Sequence, residues 1–151
     1  MDMNEVAELY AREIVTTRVF DAPRALVWRS WSDPEQLQRW WGPKGFTNTF
    51  HVFEFRPGGA WRFIMHGPDG TDYPNECRFV EITEPERIAL DHLSAPRFRL
   101  TARFDEVGEQ TKLTFRQLFE TKETCESIKR LATLGNEQNL DKLAEHLAGQ
   151  R

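Results

Sequence analysis

Between Ser94-Ala95-Pro96 and Val107-Gly108-Glu109, the residues Phe98, Leu100, Ala102 and Phe104 alternate with Arg97, Arg99, Thr101 and Arg103. A period of two buries one face of a strand and wets the other. Leu113 and Phe115 continue the buried face on the next strand, against Lys112, Thr114 and Arg116. This pair closes a longer run of strands and short turns from Phe46 to Glu120. Strands over 46–56 and 60–66 flank Arg56-Pro57-Gly58-Gly59 and predict a hairpin. Gly67-Pro68-Asp69-Gly70 leads into a strand ending near Thr83, and Glu84-Pro85-Glu86-Arg87 turns the chain into Ile88 to Leu93. Trp61, Phe63 and Met65 share a face, whereas Phe50 to Phe55 and Cys77 to Ile82 are apolar at both parities, so alternation alone does not assign their inward side.

Ahead of this run, Glu13 to Phe20 is rich in β-branched residues and predicts a first strand. Asp21 and Pro23 then open a short helix carrying Leu26, Val27 and Trp31, and Asp33, Pro34 and Gln36 open a second, with Asp33 as N-cap. Leu37, Trp40 and Trp41 form its apolar side, and Gly42-Pro43 ends it. At the C-terminal end Ile128, Leu131, Leu134, Leu140, Leu143 and Leu147 recur at helical spacings and predict a long helix, with Gly135 and Asn136 in its middle. Consecutive antiparallel strands with one wet face need the other face covered, and this helix is the element long enough to do it. The class is α+β, and a helix laid across a curled sheet leaves apolar space where small molecules bind.

At 151 residues, with 39% hydrophobic positions including 11 Phe and 5 Trp, the chain has the length and the apolar content for one core. Residues 1–12 read as an N-terminal arm or frayed helical turn, and 13–148 as a single domain. A net charge of −4 provides no basic field for nucleic acid. Cys77 and Cys125 lack CxxC or zinc-like spacing and suit free thiols in a reducing compartment. No apolar run is long enough to span a membrane, and the expected location is cytoplasmic.

Chemical candidates are sparse. His51, His66, His92 and His146 share no metal-ligand spacing, and no cofactor or catalytic residue is assigned. Asp91 and His92 are adjacent on a strand and should face opposite ways. Glu76 and His92 are candidate polar members of the cavity or its rim. Arg97, Arg99, Arg103, Lys112 and Arg116 form a basic stripe, expected to be solvated and paired with Asp91, Glu81 or Asp105. Gly42-Pro43-Lys44-Gly45 and Gly67-Pro68-Asp69-Gly70 read as turns, since neither has the spacing of a phosphate loop.

Phe20-Asp21-Ala22-Pro23-Arg24-Ala25-Leu26-Val27-Trp28, Asp33-Pro34-Glu35-Gln36-Leu37 and Trp40-Trp41-Gly42-Pro43 resemble the opening of the activator of heat-shock-protein-90 ATPase homologue-like family. That family lies within the START-like (SRPBCC) helix-grip superfamily. Pro57-Gly58-Gly59, His66-Gly67-Pro68-Asp69-Gly70, Glu81-Ile82-Thr83-Glu84-Pro85-Glu86-Arg87-Ile88 and Glu137-Gln138-Asn139-Leu140-Asp141-Lys142-Leu143 extend the resemblance. It implies a seven-stranded antiparallel sheet wrapped around the C-terminal helix, with a hydrophobic cavity between them. The candidate ligand-binding residues are Trp41 and Phe46 after the second helix; Trp61, Phe63 and Met65 on one strand; and His92, Phe98, Leu100, Phe104 and Phe115 on later ones. Leu131, Leu134, Gly135 and Asn136 complete the set from the helix. Relatives often carry Gly-Trp where this chain has Gly135-Asn136, and the shorter amide enlarges the cavity and adds two donors and an acceptor.

The function expected from this reading is binding of a small hydrophobic or aromatic ligand without assigned catalysis. The alternatives are a co-chaperone-like, stress-response protein that binds a heat-shock-protein-90 chaperone, and a cyclase- or hydrolase-type enzyme using Glu76, His92, Gln117 or Asn136 in the same cavity. Either a monomer or a homodimer is compatible with the sequence.

Overall fold

The computed structural model describes residues 2–150. Its elements are α1 (Met3–Ala11), β1 (Glu13–Phe20), α2 (Arg24–Ser32), α3 (Pro34–Trp40), β2 (Thr47–Phe53), β3 (Ala60–His66), β4 (Asp72–Thr83), β5 (Arg87–His92), β6 (Phe98–Val107), β7 (Gln110–Phe119) and α4 (Lys122–Ala148). The strands form one seven-stranded sheet in the order β1-β7-β6-β5-β4-β3-β2, with antiparallel neighbours throughout. The expected α+β helix-grip architecture is therefore present.

That order gives α2 and α3 a long path, because β1 and β2 lie at opposite edges. The two helices carry the chain across the sheet's inner face. Val27, Trp28, Trp31, Leu37 and Trp40 are each buried there at 4% exposure or less. Trp28 and Trp31 meet Phe104 of β6 edge-on at 5.4 and 5.8 Å, an arrangement aromatic rings prefer over face-to-face stacking. Asp33 caps α3 as the sequence predicts: its Oδ1 accepts from Glu35 N–H (3.0 Å) and its Oδ2 from Gln36 Nε2 (3.2 Å). The N-terminal arm is helical over Met3–Ala11 but buries no residue. Arg12 ties its end to the Phe119 and Glu120 carbonyls at 2.9 and 3.2 Å.

Phe98's strand and its partner follow their alternation, with Leu100, Ala102, Phe104, Leu113 and Phe115 buried. The two segments that alternation could not assign both contain register shifts, one between Phe50 and Val52 and one between Phe79 and Glu81. An extra residue turns the following side chains over. Phe50 and Phe53 thus both pack on the core, as do Phe79 and Ile82. The strand expected over 46–56 pairs only to Phe53, since the chain leaves the ladder to turn at Gly59. A Cβ at Gly59 would stand 2.0 Å from the Glu54 carbonyl, so no larger residue fits.

On the outer face the four arginines of the basic stripe are paired, and only Lys112 is without an ion pair among the described residues. Arg99 reaches Asp91 (2.8 Å), Arg103 reaches Asp105 (3.1 Å), Arg116 reaches Glu13 (3.4 Å) and Arg97 reaches Glu120 (3.6 Å). Glu81 pairs instead with Arg87 at 3.2 Å. Exposed pairs of this kind contribute little stability, about 0–1 kcal/mol each, but they offset most of the stripe's positive charge.

The terminal helix is fixed by polar contacts on both flanks. Asn139 Nδ2 donates to the Trp40 carbonyl at 2.8 Å, and Lys142 Nζ to the Phe46 and Pro43 carbonyls at 3.0 and 3.4 Å. Gln138 Oε1 accepts from Lys44 N–H at 3.3 Å. From the other side Arg18 of β1 holds Asp141 at 2.9 Å and Glu137 at 3.1 Å. Asn139 is buried, so Asn139→Ala strands the Trp40 carbonyl without its donor. The expected cost is about 1–3 kcal/mol, read by calorimetry as a loss of roughly 3–10 °C in Tm; an unchanged Tm would show that water replaces the amide.

Candidate functional site

Below the middle of α4 the sheet and helix separate around a cavity of about 350 Å³. Each central strand gives it two residues of one parity: Phe63 and Met65 of β3, Asn75 and Cys77 of β4, Leu90 and His92 of β5, Phe98 and Leu100 of β6, Phe115 and Gln117 of β7. Strand register sets these side by side, since Phe63 opposes Asn75, Cys77 opposes His92, His92 opposes Phe98, and Leu100 opposes Gln117. The loop Trp41-Gly42-Pro43 forms one side, and Leu131, Ala132, Gly135, Asn136 and Asn139 form the helical wall.

The space exists because α4 changes bulk along its length. Leu140, Leu143 and Leu147, at 3% exposure or less, fill the core beneath its last turns. One and two turns earlier the same faces carry Asn139, Gly135, Asn136 and Ala132, which are too short to fill the space down to the sheet, where only the Asn136 amide meets a strand side chain, Gln117 of β7.

Of the candidate ligand-binding residues, the structure places Trp41, Phe63, Met65, His92, Phe98, Leu100, Phe115, Leu131, Gly135 and Asn136 in the wall. Four lie elsewhere. Trp61 (1% exposed) and Phe104 (0%) are packed into the core. Phe46 lies beside Tyr73 with ring centroids 5.9 Å apart. Leu134 is 57% exposed on the outer side of α4. Glu76, the candidate polar member, points to the outer face and meets Arg62 at 3.4 Å, because strand parity turns it away from its neighbours Asn75 and Cys77.

Residues the sequence reading missed are Gly42, Pro43, Asn75, Cys77, Leu90, Ala132 and Asn139. The helical ones had a signal. Stepping back by four from Leu143 gives Asn139 and Gly135, and from Leu140 gives Asn136 and Ala132, so the buried rows run through these positions rather than through Leu131 and Leu134.

The polar groups in the wall are uncharged amides and one imidazole. Asn136 Nδ2 donates to Gln117 Oε1 at 2.7 Å. His92 lies flat on Phe98 at 4.6 Å, with Nδ1 3.0 Å from the Pro96 carbonyl and Nε2 2.6 Å from Asn75 Oδ1. Desolvation by burial lowers the His92 pKa, against the raising effect of the Pro96 and Ser94 backbone hydrogen bonds. Both ring nitrogens thus face acceptor oxygens, and a neutral imidazole has one N–H to share between the Pro96 carbonyl and Asn75 Oδ1, whose Nδ2 donates to the Tyr73 carbonyl at 2.8 Å. Burial also pushes the Cys77 thiol up to about 12, so it is neither a thiolate nucleophile nor a ready metal ligand. Asp91 faces outward to Arg99, and the Asp91–His92 dyad does not form. Among the described residues no group of three or more His, Cys, Asp or Glu is placed to hold a metal ion.

A second constellation lies on the opposite face. His66 Nε2 is 2.7 Å from Thr49 Oγ1 and its Nδ1 is 2.7 Å from Asp72 Oδ1, the connectivity of a hydroxyl–imidazole–carboxylate relay. It points away from the cavity that Met65 faces, and the Asp72 side chain is 60% exposed. In this setting it straps edge strand β2 to β3 and β4.

A seven-stranded antiparallel sheet gripping one long C-terminal helix, with an aromatic-walled cavity between, defines a START-like (SRPBCC) helix-grip protein. Within that class the chain belongs to the Activator of Hsp90 ATPase homolog 1-like family, whose model matches residues 21–148. Similar solved structures include one from Nitrosomonas europaea (TM-score 0.86, 22% identity, covering 94% of this chain and 97% of that one). A solution structure from Arthrobacter aurescens is similar at TM-score 0.86 and 26% identity, covering 94% and 89%. A Silicibacter pomeroyi protein named AHSA1 is similar at TM-score 0.76 and 18% identity, covering 92% and 99%. No curated protein matches the sequence.

His92 gives the site a pH signature. Its folded pKa lies below the ordinary 6.5, so the folded state binds this proton less well than the unfolded chain. Stability present above that value is lost as pH falls through it and on through the lower folded pKa. His146, lowered by burial and by Arg39 against the pull of Asp33, adds loss in the same direction. Tm is expected to drop between pH 7 and pH 5, with His92→Gln removing part of the drop and His146→Gln another part. Thermal unfolding followed across that range checks this, and a His92→Gln profile parallel to wild type would contradict it.

Proposed function

We propose that this is a cytoplasmic protein that binds a small hydrophobic or aromatic ligand in the cavity between α4 and the sheet. The observation that carries the reading is the aromatic-walled space of about 350 Å³, within the size range of small-molecule pockets. The wall combines that apolar surface with a few fixed amides, the composition by which such pockets hold and orient a ligand. A thermal-unfolding screen against flavonoids, aromatic polyketides, sterols and fatty acids tests it. Occupancy at 100 times Kd adds about 2.7 kcal/mol, a shift on the order of 5–10 °C for a chain of this size. No shift with any class would count against the reading.

A second reading, binding to a heat-shock-protein-90 chaperone, draws on the family description and on Leu131 and Leu134, which α4 leaves 76% and 57% exposed. Stimulation of chaperone ATPase by the wild type, lost in a Leu131→Glu/Leu134→Glu variant, is its expected signature.

Gly135 separates stability from binding. A Cβ there meets only Pro43 at an ordinary 3.7 Å, so Gly135→Ala is expected to gain about 0.5–1 kcal/mol of helix stability. Gly135→Leu extends into the cavity and is expected to weaken ligand binding by roughly tenfold or more while the protein stays folded, because wall and ligand compete for one volume. Calorimetric titration of the two variants with a hit from the screen checks both expectations.

A further inference from the structure

Resting on the cavity being the ligand site proposed above, we infer that its occupant is flat and uncharged, about two fused rings in size, with one end that both accepts and donates a hydrogen bond. The size follows from volume. An apolar cavity of about 150 Å³ takes a single benzene ring, and this one offers about 350 Å³. Flatness follows from the aromatic walls, Trp41, Phe63, Phe98 and Phe115.

The charge follows from what the wall omits. No Asp, Glu, Lys or Arg is among its residues. His92 spends Nδ1 on the Pro96 carbonyl and faces Asn75 with Nε2. A carboxylate entering this space would give up its hydration without meeting a counter-charge, which is strongly unfavourable.

The polar end follows from unspent valence. Gln117 is 8% exposed, and its Oε1 is taken by Asn136 Nδ2 at 2.7 Å. A primary amide carries two N–H donors and an acceptor oxygen. Among the described residues Gln117 Nε2 has no acceptor and Asn136 Oδ1 no donor. Asn75 and Asn139 have committed their Nδ2 groups to the Tyr73 and Trp40 carbonyls. A ligand amide, lactam or phenol supplies an acceptor to Gln117 and a donor to Asn136. A hydrocarbon supplies neither, and a carboxylate supplies only acceptors along with its charge.

Three probes of one shape separate these chemistries: 2-naphthamide, 2-methylnaphthalene and 2-naphthoate, titrated calorimetrically into the full chain at pH 7.5. The amide is expected to bind about tenfold tighter than either other probe, equivalent to about 1.4 kcal/mol. Gln117→Leu is expected to abolish that advantage while leaving 2-methylnaphthalene as tight or tighter. Asn136→Leu removes the same pair from the helix side and gives the same reading if Gln117→Leu does not fold, as judged by circular dichroism. Equal binding of all three probes, tightest binding of the naphthoate, or an unchanged order in both variants would overturn the polar-end assignment and leave the cavity reading standing. Binding of none of the three to the wild type would overturn the ligand class, and failure of the broader screen as well would remove the cavity reading itself.

Discussion

The structure depends on how α4 is held across the sheet, and one contact is central: the buried amide of Asn139 donating to the Trp40 carbonyl at 2.8 Å. Trp40 ends α3, where backbone carbonyls have lost their helical partners. Burying such carbonyls without donors is costly, so a helix that carries its own donors to them docks at one height and rotation. Lys142 supplies two more bonds to the same loop, at Phe46 and Pro43. The loop that receives these bonds is also the cavity's Trp41-Gly42-Pro43 wall. Anchoring the helix and building the site are therefore one event.

The crossing of α2 and α3 explains why the space stays local. Because β1 and β2 are opposite edges, the connection between them lays Trp28, Trp31 and Trp40 over one end of the inner face. There Leu140, Leu143 and Leu147 complete a dry core. The other end receives no such cover, only the slimmer middle turns of α4. A single inner face thus divides into a packed half and an open half, set by the direction of one connection and the side-chain sizes on one helix.

Much of this was legible in the sequence where a pattern is local. The alternation through Phe98–Phe104, the Asp33 cap and the late helix register all follow from short-range chemistry. Four of the segments that resemble the family touch one another in space in pairs. Trp28 of the opening donates to Glu84 of the Pro-Glu-Arg turn at 3.0 Å, and Gln138, Asn139 and Lys142 of the tail bind the loop around Trp40-Trp41-Gly42-Pro43. Illegible were features fixed by pairing. The shifts after Phe50 and Phe79 change parity with no glycine or proline at the bulge to mark them. For that reason Asn75 and Cys77 could not be told from Glu76 as inward residues. Leu134 misled because periodicity treats every leucine as a core residue, whereas a helix bordering a cavity buries its small positions and leaves large ones such as Leu131 at the rim.

The composition of that rim and wall is hard to explain by folding alone. Selection for stability would fill the middle of α4 with leucine, as it does one turn later. Instead the same level holds a helix-interior glycine, which costs about 0.5–1 kcal/mol against alanine. Opposite it lies the Gln117–Asn136 pair, with only one hydrogen bond drawn from two amides. Gln117 Nε2 and Asn136 Oδ1 find no partner among the described residues, and no charged side chain lines the cavity to meet them. Local choices that lower stability cluster at functional positions when they are retained for something other than the fold. Here they converge on one turn of helix and one facing strand residue, and the unspent valence they create lines open cavity, whereas that of the Trp31 and Trp61 indoles is sealed in the core.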